Sequence, residues 1–379
     1  MQDSNGYHSV NILAIKNQEG SYMNILLYDN GQPFDPWTIY TDPLGGSETS
    51  FLLLAHGISE INKDNKCVLL TSKNISKTSY NKLIIDNANM FDGYAENADV
   101  ILLNRHIPES ISHWVSNGKL FYYFAHDAYD QPLVHWMGVK KNFDFFKKVF
   151  CVSQWQKDTF IKYFNAPSDK LHVVGNCVDF SLTHGFAERL DNKLIFASIP
   201  YKGIDIISDI FNDICIQTKR DDLELHVFSS MGLYNQSDKD NEYDEYFSII
   251  KRTNDIFLKQ PVSLKDLIYE FKTSSVYLAP NMYHETFGIN LVLAQLCGCL
   301  PITTNKGAVN EVIKDQETGF VLNEPNLENI GTYKKFIDLC CDVISTNNDV
   351  LYKYRLNASK FAKRWHYLDI AHNVMQEVL

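Results

Sequence analysis

With 379 residues, 45% of them hydrophobic and 13% aromatic, the chain can build more than one core; at roughly 100–200 residues per domain, two are expected. A net charge of −11 argues against a general nucleic-acid binder, which needs a basic face to displace counterions. No run reaches the roughly 18 uninterrupted apolar residues of a membrane span, and MQDSNGYHSVNILAIKNQEG lacks the basic-then-apolar order of a signal peptide, so a cytoplasmic protein is expected.

Strand-length apolar runs alternate with longer amphipathic stretches. In the first half, strands are predicted near 23–29, 66–72, 99–104, 120–126, 148–153 and 170–176, with helices over 47–61, 108–118 and 154–164. Most of the strand runs are continuously apolar rather than alternating, as in a parallel sheet covered on both faces. The second half restarts the pattern, with strands near 193–198, 223–229, 255–260, 275–280, 300–304 and 319–322. Residues 177–192 are irregular and more polar, which puts a hinge there and divides the chain into 1–180 and 181–379. Segment 234–247 reads as an acidic insertion, and 349–379 as helix capping the second domain. The fold class that follows is α/β: two doubly wound Rossmann-like domains whose parallel sheets face each other across a cleft. Ligands of such sheets bind beyond the carboxyl ends of the strands.

Several motifs fall at those ends. HETFGINLVLAQLCGCLPITT (284–304) sets Glu285 after a strand and before a nearly all-apolar helix closed by Gly298 and Pro301. The free amides of that helix start suit an anion, and Glu285 is either a first-turn cap or an acceptor for a polyhydroxyl ligand. PLGGSETSF (43–51) places Gly45 and Gly46 before a helix, where the backbone can approach a ligand or simply turn tightly. No G-x-G-x-x-G occurs, which counts against a nicotinamide enzyme. Lys202, in ASIPYKGIDIISDIF, is either a solvated lysine or the cation that neutralises a diphosphate. His126, in FYYFAHDAYDQ, fills the core or points into the cleft.

Three further features have bland readings beside sharper ones. Asp238 and Asp240 have the D-x-D form of a metal site within a loop crowded with like charge, where a solvated surface is favoured. Residues 139–150, with Lys140, Lys141, Lys147 and Lys148 among Phe143, Phe145 and Phe146, read as an amphipathic helix or as a patch for peripheral membrane contact. Cys67, Cys151, Cys177 and Cys215 stand alone in apolar runs, and Cys297/Cys299 and Cys340/Cys341 are too close for the usual zinc spacing. Reduced core thiols are expected.

PLGGSETSFLLLAHGI, the His126-Asp127 pair, CVSQWQKDTFIKYFNAPSDKLHVVGNCVD, SIPYKG and HETFGINLVLAQLCGCLPITTNKGAVNEVI together resemble the GT-B glycosyltransferases, in particular the family-4 retaining enzymes, over nearly the whole chain. The resemblance implies transfer of a sugar from a nucleoside diphosphate sugar to a glycan, lipid or protein-linked acceptor, without metal or other cofactor. It implies that Gly45 and Gly46 approach the diphosphate and that Lys202 neutralises it. Glu285 would hold a hydroxyl of the sugar, and His126 would lie beside that sugar. Thr286, Phe287, Gly288 and Ile289 complete the implied donor site. Two positions depart from the pattern. Leu293 stands where the signature has its second glutamate, and Ala197 and Ser198 occupy the region of the usual arginine, leaving Lys306 as a substitute cation. Losing one charged hydrogen bond weakens donor binding by about 1.5–3 kcal/mol. A catalytically silent binding protein and a sugar-nucleotide epimerase are the alternative readings.

Overall fold

A computed structural model describes residues 23–34, 37–61, 66–183, 187–234 and 237–379. The whole N-terminal stretch read for a signal peptide, residues 184–186 of the expected hinge and 235–236 of the acidic segment lie outside the described residues. The first sheet contains β1 (Asn24–Asp29), β2 (Lys66–Thr71), β3 (Thr78–Tyr80), β4 (Leu83–Asn87), β5 (Val100–Asn104), β6 (Leu120–Ala125), β7 (Phe146–Cys151) and β8 (Leu171–Val173). Its order is β3-β4-β2-β1-β5-β6-β7-β8, and every pair is parallel except β3 with β4. The second sheet contains β9 (Leu190–Ala197), β10 (Glu224–Phe228), β11 (Ile256–Lys259), β12 (Ser274–Ala279), β13 (Leu300–Thr304) and β14 (Phe320–Leu322). It runs β11-β10-β9-β12-β13-β14 and is wholly parallel.

All the predicted strands form; β3 and β4 were not anticipated. They add a short outer hairpin in which Leu83 and Ile85 turn inward, too few apolar residues to stand out in the sequence. The strand order reverses at β1 in the first sheet, flanked by β2 and β5, and at β9 in the second, flanked by β10 and β12. Such reversals open a crevice at the carboxyl ends of the central strands. One apolar cluster continues from the inner face of the first sheet through Trp365 and Phe287 to the second, and a further cluster fills the far side of each sheet.

The closing helices divide. The Asn348–Ala362 helix packs on the second domain's Ile289–Leu296 helix, but the last, Tyr367–Val378, returns to the first domain and lies along Gly46–Ile61. This corrects the expectation that 349–379 caps only the second domain. Gly57 leaves room there for Ala371, Tyr122 donates to the carbonyl of Val378 at 3.1 Å, and Lys148 pairs with Glu377. The chain therefore passes between the sheets twice, and the two passages are hydrogen-bonded. Val178 donates to Trp365 and accepts from Tyr367, both at 3.0 Å.

Residues 139–150 do not form the expected amphipathic helix. Lys140–Phe145 is a 3-10 turn and Phe146 begins β7, so helical spacing no longer applies. Phe143 and Phe146 are buried against Trp136, and a membrane surface would meet the lysines rather than these rings. Among the described residues, no helix is long and apolar enough to cross a membrane. The eight cysteines are free; Cys215 is half-buried and the others are buried. Asp240 is not merely solvated, since it accepts from Ser230 Oγ and, at 2.6 Å, from the amide of Met231.

Candidate functional site

The second-domain half of the site follows from strand adjacency. β9 runs into the 3-10 turn Pro200–Lys202, closed by the Lys202 amide donating to Ile199 at 3.0 Å. β12, hydrogen-bonded to β9, runs into the loop that carries Glu285. Lys202 Nζ and Glu285 Oε1 meet at 2.5 Å, with side chains only 19% and 16% exposed. A charge-assisted contact in that setting is short and strong.

Glu285 is not in the first helical turn, which corrects the sequence reading. The helix begins at Ile289, capped by Gly288 with a left-handed backbone (φ 87°). Glu285 is instead fixed by a main-chain bridge to Gly307: its amide donates to Lys306 at 3.3 Å, and its carbonyl accepts from Ala308 at 2.8 Å. Gly307 has φ 78°, and a Cβ there would lie 2.3 Å from the Glu285 carbonyl oxygen, so only glycine fits. Among the described residues, the amides of Thr286, Phe287, Gly288 and Ile289 have no acceptor, which leaves a row of donors beside the ion pair. The Phe287 ring itself is buried edge-on against Trp365 at 5.5 Å. Leu293 is 2% exposed and belongs to the core. The helix closes as expected at Gly298: its amide donates to Gln295 at 3.0 Å, and Cys299 donates to Ala294 at 2.9 Å.

The first-domain half faces this row. A Cβ on Gly46, where the first long helix starts, would lie 3.1 Å from Ile289 Cδ1, so the glycine turn and the second-domain helix start abut. Arg105, following β5 with φ 60°, holds the turn in place. Its guanidinium donates twice to Asp127 at 2.8 Å, to Glu48 at 3.0 Å and to Ser47 at 3.1 Å. Beneath it, Asp29 accepts from Asn104 at 2.6 Å and from the Gly31 amide at 2.8 Å. Burial, and then the Glu48 charge, push the Asp29 carboxyl up to about 7.

His126 is buried and stacked on Phe124 at 4.8 Å, and its Nε2 has no partner. Burial, helped by the Arg105 charge, lowers it to about 3, so it is neutral at neutral pH. Among the described contacts none joins His126 to Lys202 or Glu285. Tyr201, beside Lys202 on the same turn, packs on Tyr283 at 5.1 Å, and its hydroxyl is pushed up to about 12 by burial first and then by Glu285, Tyr243 and Asp127.

Two further contacts cross between the domains. Glu311 accepts from the amides of Gln154 and Trp155, each at 2.7 Å, and so caps the Gln154–Phe164 helix of the first domain. His284 lies 3.8 Å from Asp130 and packs on Trp155 and Tyr129. Its imidazole is held below its ordinary range by burial and by the charge of Lys306. Lys306 thus stands on the loop that fixes Glu285. Ala197, in the region of the missing arginine, offers its carbonyl to Asn290 and Tyr277 at 2.8 and 3.0 Å.

The structure brings Lys202, Glu285, Gly46 and the start of the 289–296 helix together, with Gly45 adjoining Gly46, and sets His126 deeper in the first domain. Sequence reading missed Arg105, Tyr201, Gly307 and Glu311. Only Arg105 carried a usable signal, a charge directly after an apolar strand in VILLNRH.

The comparisons agree with this architecture. A glycosyltransferase from Rickettsia africae ESF-5 superposes with a TM-score of 0.68, at 17% identity over 94% of this chain and 97% of that one. Anabaena HepE, solved in complex with UDP-glucose, gives 0.67 at 14% identity over 94% and 99%. The chain has the GT-B fold. Within it, residues 193–335 match the family described as Glycosyl transferases group 1, a stretch that contains Lys202 and Glu285. Glycogen synthase of Pseudomonas syringae pv. syringae (strain B728a) is 31% identical over 96 residues, which is 25% of this chain and spans 19% of that protein.

Two outcomes test the geometry. Unfolded histidine protonates near 6.5 but folded His126 only near 3, so the unfolded state binds the extra proton between these values. Stability should therefore fall as pH drops from about 6.5 towards 3, with a contribution of about 1.4 kcal/mol per unit from His126. His126→Gln should remove that share in urea titrations across this range, and an unchanged slope would contradict the burial. In Glu311→Ala, loss of charged acceptors worth about 1.5–3 kcal/mol should speed exchange of the Gln154 and Trp155 amides roughly ten- to 150-fold. Unchanged hydrogen exchange would show that the cap does not hold the helix.

Proposed function

We propose that the chain is a glycosyltransferase that moves a sugar, with retention of anomeric configuration, from a nucleoside diphosphate sugar to a glycan, lipid-linked or protein-linked acceptor. The observation that carries the reading is the Lys202–Glu285 pair at the switch point of the second sheet, beside unpaired amides and the Gly46 turn. In the free protein the two charges satisfy each other. With donor bound, Lys202 turns to the diphosphate and Glu285 accepts from a sugar hydroxyl. Gly45, Gly46 and the amides of Thr286, Phe287, Gly288 and Ile289 supply neutral donors to the phosphate oxygens.

In the proposed step the bond between the anomeric carbon and the phosphate oxygen breaks, and the diphosphate keeps the electron pair. The acceptor hydroxyl attacks on the same face and gives its proton to the departing phosphate oxygen. The lysine and the oriented amides stabilise the departing charge, so no metal enters the scheme. Neutral His126 serves by shape and polarity beside the sugar rather than as a cation. Closure about 177–192, secured by the Glu311 cap, would expel water before transfer. The solved complex of HepE with UDP-glucose supports a sugar nucleotide as the partner. A cytoplasmic location is part of the proposal, with any peripheral membrane contact through 139–150 made by the exposed Lys140, Lys141 and Lys147 rather than by the buried Phe143 and Phe146.

Leu293 and Ala197 favour one second reading, a GT-B protein that binds a partner or glycan and transfers nothing. Incubation with a panel of sugar nucleotides, with and without acceptors, separates the two. Release of nucleoside diphosphate is expected, and Lys202→Ala should lower its rate at least tenfold, equivalent to about 1.4 kcal/mol in the barrier. An isomerised donor would indicate an epimerase instead. Silence towards every nucleotide, in turnover and in thermal shift, would leave the binding protein standing.

A further inference from the structure

An aromatic patch outside the donor site joins the two domains beside Glu285. Tyr129 and Tyr163 of the first domain stack at 4.0 Å with an interplanar angle of 10°, and Trp155, from the same helix as Tyr163, lies 6.3 Å from Tyr129. The second domain adds His284, 5.1 Å from Trp155 and 5.8 Å from Tyr129. These rings are not core: Tyr163 is 49% exposed and the other three are half-buried. Two opposite charges border them. Asp130, 55% exposed, lies 3.8 Å from His284, and Lys306 is close enough for its charge to depress the His284 imidazole, after burial itself. Among the described residues the Lys306 ammonium has no hydrogen-bond or ion-pair partner.

Chain connectivity ties the patch to the transfer step. His284 directly precedes Glu285, Lys306 directly precedes the Gly307 that anchors it, and Tyr129 and Asp130 follow His126 and Asp127. A sugar held at Glu285 therefore has this patch as its neighbour on the first-domain side, where an attacking hydroxyl must be held. The chemistry of the patch selects among acceptors. A hydrocarbon chain would cover the rings but would strip water from Asp130 and Lys306 and return no hydrogen bond. A serine or threonine side chain has one hydroxyl and too little apolar surface to cover a ring. A sugar ring has an apolar C–H face to lay on an aromatic ring, and hydroxyls that donate to a carboxylate and accept from an ammonium. Ring faces with a few placed polar groups are the usual lining of a small-molecule site. We infer that the acceptor is a glycan, whose sugar ring rests on the Tyr129–Trp155–His284 patch with its hydroxyls shared between Asp130 and Lys306. This rests on the transferase reading and narrows its acceptor to a carbohydrate.

The test reads binding without turnover, so that it fails separately from that reading. The full chain, with no sugar nucleotide present, is applied to an array of neutral and acidic glycans, and in parallel to phosphatidylglycerol vesicles and an immobilised serine- and threonine-rich peptide. Binding to glycans alone is expected. The strongest glycan is then titrated by tryptophan emission, which should change saturably, and Trp155→Phe should abolish the change. Tyr129→Ala should weaken that glycan by roughly tenfold or more, and Tyr129→Phe, which keeps the ring, should hold it within about threefold. No glycan bound, preference for vesicles or peptide, an emission change that survives Trp155→Phe, or equal affinity in Tyr129→Ala overturns the assignment. If Tyr129→Ala does not fold, Asp130→Ala at the surface decides: affinity must fall by roughly fivefold or more, and unchanged binding refutes the site. Glycan binding that needs Tyr129 supports the site even where no nucleoside diphosphate is released, an outcome that counts against transfer alone. Release without glycan binding counts against this site alone.

Discussion

Adjacent parallel strands deliver their following loops to the same edge, and here that constraint places a lysine and a glutamate 83 residues apart in contact. β9 and β12 are neighbours because the sheet order reverses between them, so the loops after them cannot avoid each other. Everything proposed for the cleft depends on that adjacency. The pairing also explains how two charges survive in a mostly buried position without a ligand, since each is the other's counter-ion until a stronger set of partners arrives.

The opposing wall is positioned by different means. Arg105 ties the glycine turn, through Ser47 and Glu48, to the loop bearing His126 and Asp127, and its left-handed backbone is held by Tyr123 donating to its carbonyl at 2.9 Å. Strain of this kind persists only where neighbours over-determine it. The two walls are then brought together by a shared apolar cluster around Trp365, by the doubled crossing at Val178, and by the Glu311 cap on a first-domain helix. Packing sets the approach of the domains and a few polar contacts set its register.

How much of this the sequence disclosed depended on whether the cause was local. Strands such as Val100–Asn104 and Leu120–Ala125 were legible because burial on both faces makes them continuous apolar runs. Charges just beyond such runs, Lys202 and Glu285, were legible as cleft residues for the same reason. Phe143 and Phe146 misled because their spacing with lysines fits a helix, while Trp136 and the edge of β7 decide the outcome. Glu285 looked like a helix cap because nothing near it in sequence announces Gly307, 22 residues on, as its backbone partner. The Glu311 carboxylate acts only across the domain boundary. Leu293, by contrast, was visible as a departure at once, and its burial confirms that it offers no polar group to a ligand.

The most direct measurement is a crystal structure of the chain soaked with a nucleoside diphosphate sugar. The expected result is a diphosphate between the Gly45-Gly46 turn and the amides before Ile289, with Lys202 on a phosphate oxygen and Glu285 parted from it to meet the sugar. A sugar nucleotide seated elsewhere, with the Lys202–Glu285 contact intact, would contradict that arrangement and the sugar transfer inferred from it.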